Sequence, residues 1–346
     1  LLHGKLIPFR RYNENIQEFV PVKIVLIKSF SDKPWRSPET YDRIEASLSK
    51  NWHVEAIETD NSEVLQEFLA FHAKNENNAI FVFNNAEYLD EKNKRGFLPS
   101  LLDSWAYPHL GSSAEVVALG LDKGKTKRAL RRAGIPTPAD FIAVRGDTDI
   151  ISKAHGIGYP LIVKPTLEGG HIGIRDDSIV TNDASLICSV ERIFDEHRQP
   201  AIVEAYISGD GMREFSVGVV DGTTRFFTPV EIDFKAMNVD VPILSHETAQ
   251  KDLEKIKLVL DQPMQSKIVE LAEKTFLAIG AEDYSRVDMR MDRKDCYVLE
   301  INVMPGLGPH SFLPEAAFSI HGLDYGEFIR TMTGSALYRK LPQVGL

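Results

Sequence analysis

Cysteine is scarce in this chain. The 346 residues carry two, Cys188 and Cys296. Two thiols cannot build a disulfide framework, and such sparing use fits a reducing compartment. Long apolar runs are missing as well, so no stretch has the length of a membrane span. Residues 1–20 lack the apolar core of a signal peptide, and the expectation is a cytoplasmic protein. An excess of basic charge is also lacking. Lys and Arg number 40 against 50 Asp and Glu, and the net charge of −10 argues against nucleic acid as the main partner. There is no GxxxxGK(S/T) phosphate loop, no Rossmann glycine fingerprint, and no GxSxG or Cys–His signature of a covalent nucleophile.

What remains is a globular chain long enough for two or three domains. Residues 1–19 read as an N-terminal extension. Val22–Ile27, Val54–Ile57 and Ala79–Phe83 read as strands, with helical spacing over Thr40–Leu48. This alternation predicts an open α/β layer over residues 20–111. Ser112 and Glu115 have capping-box spacing, and Asp122 is placed to cap a second helix that Gly134 and Pro136 close. With strands at Phe141–Val144, Tyr159–Lys164 and Ala201–Tyr206, residues 112–204 are expected to form a small α+β domain. Residues 205–346 form the third unit. Arg213–Val220 and Thr224–Asp233 pair there around Asp221-Gly222, a helix starts at Pro263 and ends at Gly280, and Ser285–Met291 and Cys296–Asn302 are strands. Asp240–Gln262 is charged and fits no element.

Those last two strands carry the sharpest chemistry. Alternation puts Arg286, Asp288 and Arg290 on one face of SRVDMRM, and Val298, Glu300 and Asn302 on one face of CYVLEIN. In a hairpin, Asp288 lies opposite Glu300 if the loop is odd-numbered and centred on Lys294. Two carboxylates and an amide oxygen form the hard donor set that Mg²⁺ prefers when phosphates complete its shell. A solvated sheet face would carry the same residue types. The Gly/Pro-rich MPGLGPHS follows immediately, a loop held by a rigid sheet. Elsewhere, Lys164 ends an apolar strand before TLEGGHIGI, where Gly169, Gly170 and Gly173 allow backbone N–H groups to cradle phosphate. Lys123 in LDKGKTK is a second candidate phosphate ligand.

The order Lys123, Lys164 with its glycine loop, Glu204-Ala-Tyr-Ile-Ser-Gly, Glu214-Phe, Arg286-Val-Asp288 and Leu-Glu300-Ile-Asn302-Val-Met-Pro-Gly306 resembles the D-alanine–D-alanine ligase family over about residues 79–332. The resemblance implies an ATP-grasp fold, an N-terminal open α/β domain followed by two α+β domains that clamp ATP. It implies an ATP-dependent carboxylate–amine ligase working through an acyl-phosphate. Lys123 and Lys164 would bind phosphates, helped by Gly169 and Gly170. Glu204, Tyr206 and Ile207 would hold adenine, and Glu214 the ribose. Asp288, Glu300 and Asn302 would ligate two Mg²⁺ ions, for which Mn²⁺ can substitute. Arg286 and the Gly306 N–H would steady an oxyanion, and Ser311 would touch the carboxylate of the attacking amino acid. A homodimer is a further implication.

The chain departs from the family pattern at the donor site. Gly170 and His171 stand where the phosphate loop usually has two serines. KSFSDKPWRSPET has no Gly-rich turn, and Glu39 is the candidate for its acidic residue. Asn84 stands where a histidine is frequent. Lys235 is the candidate in the substrate loop, without a following tyrosine, and His310 reads as structural. The expected substrates are therefore amino acids or related small carboxylates. An authentic D-alanine–D-alanine ligase and a catalytically silent nucleotide-binding scaffold are the alternatives.

Overall fold

The computed structural model describes residues 22–75, 79–222, 225–239, 241–250 and 253–341. The expected extension at 1–19, and Thr224 and Asp240 at the edges of expected segments, lie outside these residues. Three larger sheets, with a two-stranded one at Tyr88–Asp90 and Arg95–Phe97, organise the described residues. The first is parallel, with Val22–Lys28 between His53–Glu58 and Ala79–Phe83. Its central strand is apolar and buried on both faces, from Ile24 to Ile27, as a covered parallel strand must be. The second sheet is antiparallel, in the order Asp140–Ala143, Ala201–Ala205, Leu161–Pro165, Ile179–Val180. The helix Asp183–His197 covers it with Leu186, Val190, Ile193 and Phe194. The third sheet is antiparallel, in the order Ile256–Leu258, Phe226–Ile232, Arg213–Val220, Tyr284–Met291, Cys296–Asn302.

Local chemistry sets the helix ends. Asp122 accepts from the Lys125 N–H at 2.9 Å and starts Lys123–Arg132. Asp261 caps Gln262–Ile279, Pro263 takes the first turn, and Gly280 stops the helix at φ 76°. The capping box expected from Ser112 and Glu115 does not form. The helix begins at Ala114 with Ser113 as an N-cap that makes no side-chain bond. Ser112 is buried instead, and its hydroxyl accepts from the Glu282 N–H at 2.9 Å.

Packing crosses the expected unit boundaries in two places. The helices Ala114–Leu121 and Lys123–Arg132 lay Val117 and Leu130 into the core of the third sheet, beside Phe276, Val287 and Val298. The helix Tyr325–Lys340 puts Met332, Ala336 and Leu337 into the core of the first sheet, with Ile24, Ile44 and Phe83. Its last residues also tie the N-terminal unit down. Lys340 donates to the His109 carbonyl at 2.9 Å and pairs with buried Asp283 at 3.2 Å, whose carboxylate accepts the Gly111 N–H at 2.6 Å. Among the described residues no helix is long and apolar enough to cross a membrane.

Candidate active site

The two strands expected to carry the carboxylates do pair, and Asp288 stands opposite Glu300. They reach that register differently from the expectation. The turn 292–295 has four residues, so it is even, and Asp292 closes it by accepting from the Lys294 and Asp295 N–H groups at 2.7 and 2.8 Å. A β-bulge restores the parity. Met289 pairs with Val298 and Asp288 with Glu300, which leaves Leu299 as the extra residue. Consequently Val298 does not share a face with Glu300. It joins Val287, Met289 and Ile301 in the core, and the bulge turns Glu300 and Asn302 to the other side.

Asn302 holds the cluster together, with its Nδ2 3.1 Å from Asp288 Oδ2 and 3.4 Å from Glu300 Oε1. Arg286 forks onto Asp288, Nη2 to Oδ2 at 2.7 Å and Nε to Oδ1 at 3.0 Å, and Ser216 donates to Oδ1 at 2.8 Å. Burial works against the Arg286 charge, but Asp288 outweighs it and holds the guanidinium more basic than usual. Burial would also raise Glu300, yet Lys123, with Lys164 behind it, brings its carboxyl down to about 2. Lys123 Nζ lies 3.7 Å from Glu300 Oε2 and donates to the Glu168 carbonyl. Among the described residues no three His, Cys, Asp or Glu side chains gather tightly enough to hold a metal. The donor set is therefore two carboxylates and the Asn302 amide. An amide flip would present its oxygen alongside them and complete a hard, all-oxygen face. That composition fits Mg²⁺, which takes few protein ligands and fills its shell with water and phosphate.

The second group centres on Glu204, which is 1% exposed. Lys164 approaches Oε1 to 2.8 Å and Lys127 approaches Oε2 to 3.0 Å. Burial would raise the Glu204 carboxyl, but Lys127 and Lys164 together hold it below its usual range. Burial lowers Lys127 to about 8 in spite of Glu204. Lys127 is not among the residues that the sequence pattern singles out. Its signal was the four-residue spacing from Lys123 in LDKGKTK, which puts both lysines on one face of the capped helix.

Glu204, Tyr206, Ile207 and Glu214 line one narrow slot together with Ile162, Lys164, Leu244, Asp288 and Glu300. Its lining mixes apolar Ile162, Ile174, Ile243 and Leu244 with charged Lys164, Glu204, Glu214, Asp288, Arg290 and Glu300. Arg290 fixes the Glu214 side of it. Its Nε donates to Glu214 Oε2 at 2.7 Å, its Nη2 donates to the Pro242 carbonyl at 2.6 Å, and its guanidinium lies 4.8 Å from the Tyr206 ring centroid. Burial raises the Glu214 carboxyl even so. Alternation had put Arg290 on the face of Asp288 without assigning it a role.

A larger cavity of about 930 Å³ adjoins the slot, lined by Trp35, Gly169, Gly170, Arg286, Asn302, Gly306 and Ser311 among others. Arg286 and Asn302 open to the cavity, Asp288 and Glu300 open to the slot, and His171 lines both. Ser311 starts the helix Phe312–His321 but makes no side-chain cap bond. Glu39 lines the cavity at an exposed position and pairs with Arg43 at 3.0 Å. His310 is exposed, 3.7 Å from Glu315. Asn84 is buried and its amide closes a turn on Ala86, at 3.0 and 3.1 Å. Lys235 is exposed on the short helix Phe234–Met237 and lines neither cavity.

His171 gives a pH prediction. Burial lowers its imidazole to about 4, so the folded chain keeps it neutral where the unfolded chain protonates it. Its contribution is present above the ordinary value near 6.5 and is lost as the pH falls toward 4. At pH 5 the loss is about 2 kcal/mol relative to His171→Asn. Melting curves of both proteins between pH 7 and 5 check this, and parallel declines would refute it.

A four-stranded and a five-stranded antiparallel sheet, with a glycine loop and buried lysines next to a carboxylate pair, are the architecture of an ATP-grasp enzyme. The chain belongs to the D-alanine–D-alanine ligase family of ATP-dependent carboxylate–amine ligases, since the model described as "D-ala D-ala ligase C-terminus" matches residues 130–333. It is similar to a D-alanine–D-alanine ligase of Hydrogenovibrio crunogenus, 30% identical over 226 residues, 65% of this chain and 68% of the relative. It is also similar to an uncharacterized Sinorhizobium fredii protein, y4sG, 28% identical over 304 residues, 86% of this chain and 87% of the relative. The crystal structure of the Bacillus anthracis D-alanine–D-alanine ligase complexed with ATP shares the fold, with a TM-score of 0.71 at 21% identity over 94% of this chain and 99% of that one.

Proposed function

We propose that the protein joins an amino acid, or a related small carboxylate, to an amine through an acyl-phosphate made from ATP. The observation that carries this reading is the junction of slot and cavity, where Arg286, Asp288, Glu300 and Asn302 meet within hydrogen-bond reach. In this reading ATP lies between the central sheet and the third sheet. Its adenine takes the slot beside Glu204, Tyr206 and Ile207, and its ribose hydroxyls face Glu214. Lys123, Lys164 and the N–H groups of Gly169 and Gly170 hold the phosphates. Asp288, Glu300 and Asn302 would hold two Mg²⁺ ions, or Mn²⁺ in their place. When bound, the metal neutralises charge on the phosphate oxygens during transfer.

A free carboxylate resists attack by an amine because its leaving group would be an oxide. In the first step a carboxylate oxygen attacks the γ-phosphorus and ADP leaves. In the second, the amine attacks the acyl carbon, phosphate leaves with the electron pair of the C–O bond, and the amine gives up a proton. Arg286 and the Gly306 N–H face the oxyanion formed between these events, where fixed donors act most strongly. Ser311 binds the carboxylate of the acceptor. The donor pocket favours a substrate other than D-alanine, because its wall is Trp35 and Glu39 is engaged with Arg43. The test is ADP release from Mg-ATP over a panel of paired D- and L-amino acids. Turnover that requires two substrates supports the reading, and ATP turnover with no pair would overturn it.

A further inference from the structure

Trp35 packs against the MPGLGPHS loop and reaches toward the glycine loop, with which it lines one cavity, although it comes from the N-terminal part of the chain. A Cβ on Gly306 would stand 2.7 Å from Trp35 Cγ, and one on Gly308 would stand 2.9 Å from Trp35 Cα. One on Gly170 would lie 3.8 Å from the far, benzo edge of the same ring. The indole thus spans from the MPGLGPHS loop to the glycine loop. Gly306 and Gly308 give it room, since a Cβ at either would come closer to Trp35 than side chains permit, and at Gly170 a Cβ would stand at ordinary contact distance. The ring is delivered by a rigid segment. Arg36, 1% exposed, donates to the Ser29 carbonyl at 2.9 Å and pairs with Glu91 at 2.8 Å. Lys33 also pairs with Glu91 at 2.9 Å, and Thr40 donates to the Pro34 carbonyl at 3.0 Å.

We infer that Trp35 is a positioning residue that pins the two loops to each other and keeps water from the acyl-phosphate. The chemical half of this inference rests on the ligase reading above; the pinning half does not. An acyl-phosphate exposed to water is lost. A water oxygen attacks the acyl carbon, the bond from that carbon to the bridging oxygen breaks, phosphate leaves with the bridging oxygen and the electron pair, and the water protons pass to solvent. The carboxylate is regenerated and ATP has been spent without an amide. A flat apolar ring across both loops blocks that approach while the amine enters from the open side of the cavity.

The experiment compares the whole protein with Trp35→Ala and Trp35→Phe. The first arm is amide hydrogen exchange without any substrate. Trp35→Ala is expected to speed exchange in residues 167–173 and 305–310 by about tenfold, with Ala201–Ala205 and Tyr284–Met291 unchanged, because only the local opening equilibrium shifts. Trp35→Phe is expected to stay close to the parent. Unchanged exchange in both loops overturns the inference, whatever the reaction proves to be. The second arm counts ADP released per hydroxamate formed, with hydroxylamine as the amine and the amino-acid panel as donors. The parent is expected near one, Trp35→Ala several-fold higher, and Trp35→Phe restored. Raised loop exchange with a ratio near one overturns the water-excluding role. A parent that forms no hydroxamate with any donor counts against the ligase reading and against that role, and leaves the exchange result standing.

Discussion

Asp288→Asn is expected to lower ADP release by about a thousandfold at saturating ATP, the scale seen when a preorganised transition-state contact is removed. Asp288 is engaged from three directions. Arg286 forks onto both its oxygens, Ser216 donates to Oδ1, and Asn302 approaches Oδ2. The amide keeps the shape and removes the charge. Arg286 then lacks its main counter-charge, and the donor set for a hard cation loses one of its two carboxylates. Glu300→Gln is the companion variant, since it removes the other carboxylate from beside Lys123. Initial rates of ADP formation, with circular dichroism to show that the fold persists, check the expectation. Rates within threefold of the parent would mean that this cluster is a solvated sheet face.

The second large effect concerns stability. Glu204→Gln is expected to destabilise the central sheet by about 3 kcal/mol, as breaking a buried ion pair does when the partner charge stays behind. Glu204 neutralises two buried ammonium groups at once, Lys164 at 2.8 Å and Lys127 at 3.0 Å. A glutamine presents one carbonyl oxygen and no charge to both. The loss should centre on the sheet that carries Glu204 and Lys164 and on the helix Lys123–Arg132 that carries Lys127. Hydrogen exchange in Leu161–Pro165 and Ala201–Ala205 reads it directly, with Val22–Lys28 as the internal reference. Equal protection in variant and parent would show that the two lysines do not depend on Glu204.

Alternation and capping rules read only local features of this chain. The pairing of Asp288 with Glu300 is legible because the two residues stand equally far from Lys294 along the hairpin. The bulge at Leu299 was not, because an extra residue leaves no mark in an apolar-polar pattern. Loop parity was therefore assigned to a turn that Asp292 closes with an even count. The helix cap at Asp122 and the helix stop at Gly280 are legible because such end signals are local, whereas the cap at Asp261 comes only from the structure. Ser112 was misread because its hydroxyl is claimed by Glu282, 170 residues away. The same limit explains Lys127 and Arg290. Each earns its place from a partner far along the chain, Glu204 and Glu214. Trp35 lies furthest from any pattern, since its contacts are to glycine backbones that only the assembled fold brings near. The sequence order of Lys123, Lys164, the glycine loop and the carboxylates is legible, and the structure brings Lys123 and Lys164 close to Glu300 and Glu204.

The central claim is that a carboxylate attacks the γ-phosphorus of ATP. The most direct measurement uses a donor amino acid labelled with ¹⁸O in its carboxylate, with Mg-ATP and an acceptor amine. Mass spectrometry of the released phosphate then follows the label. An acyl-phosphate route predicts one ¹⁸O in each phosphate formed together with amide, and loss of that transfer in Asp288→Asn. Unlabelled phosphate accompanying amide formation would contradict the account.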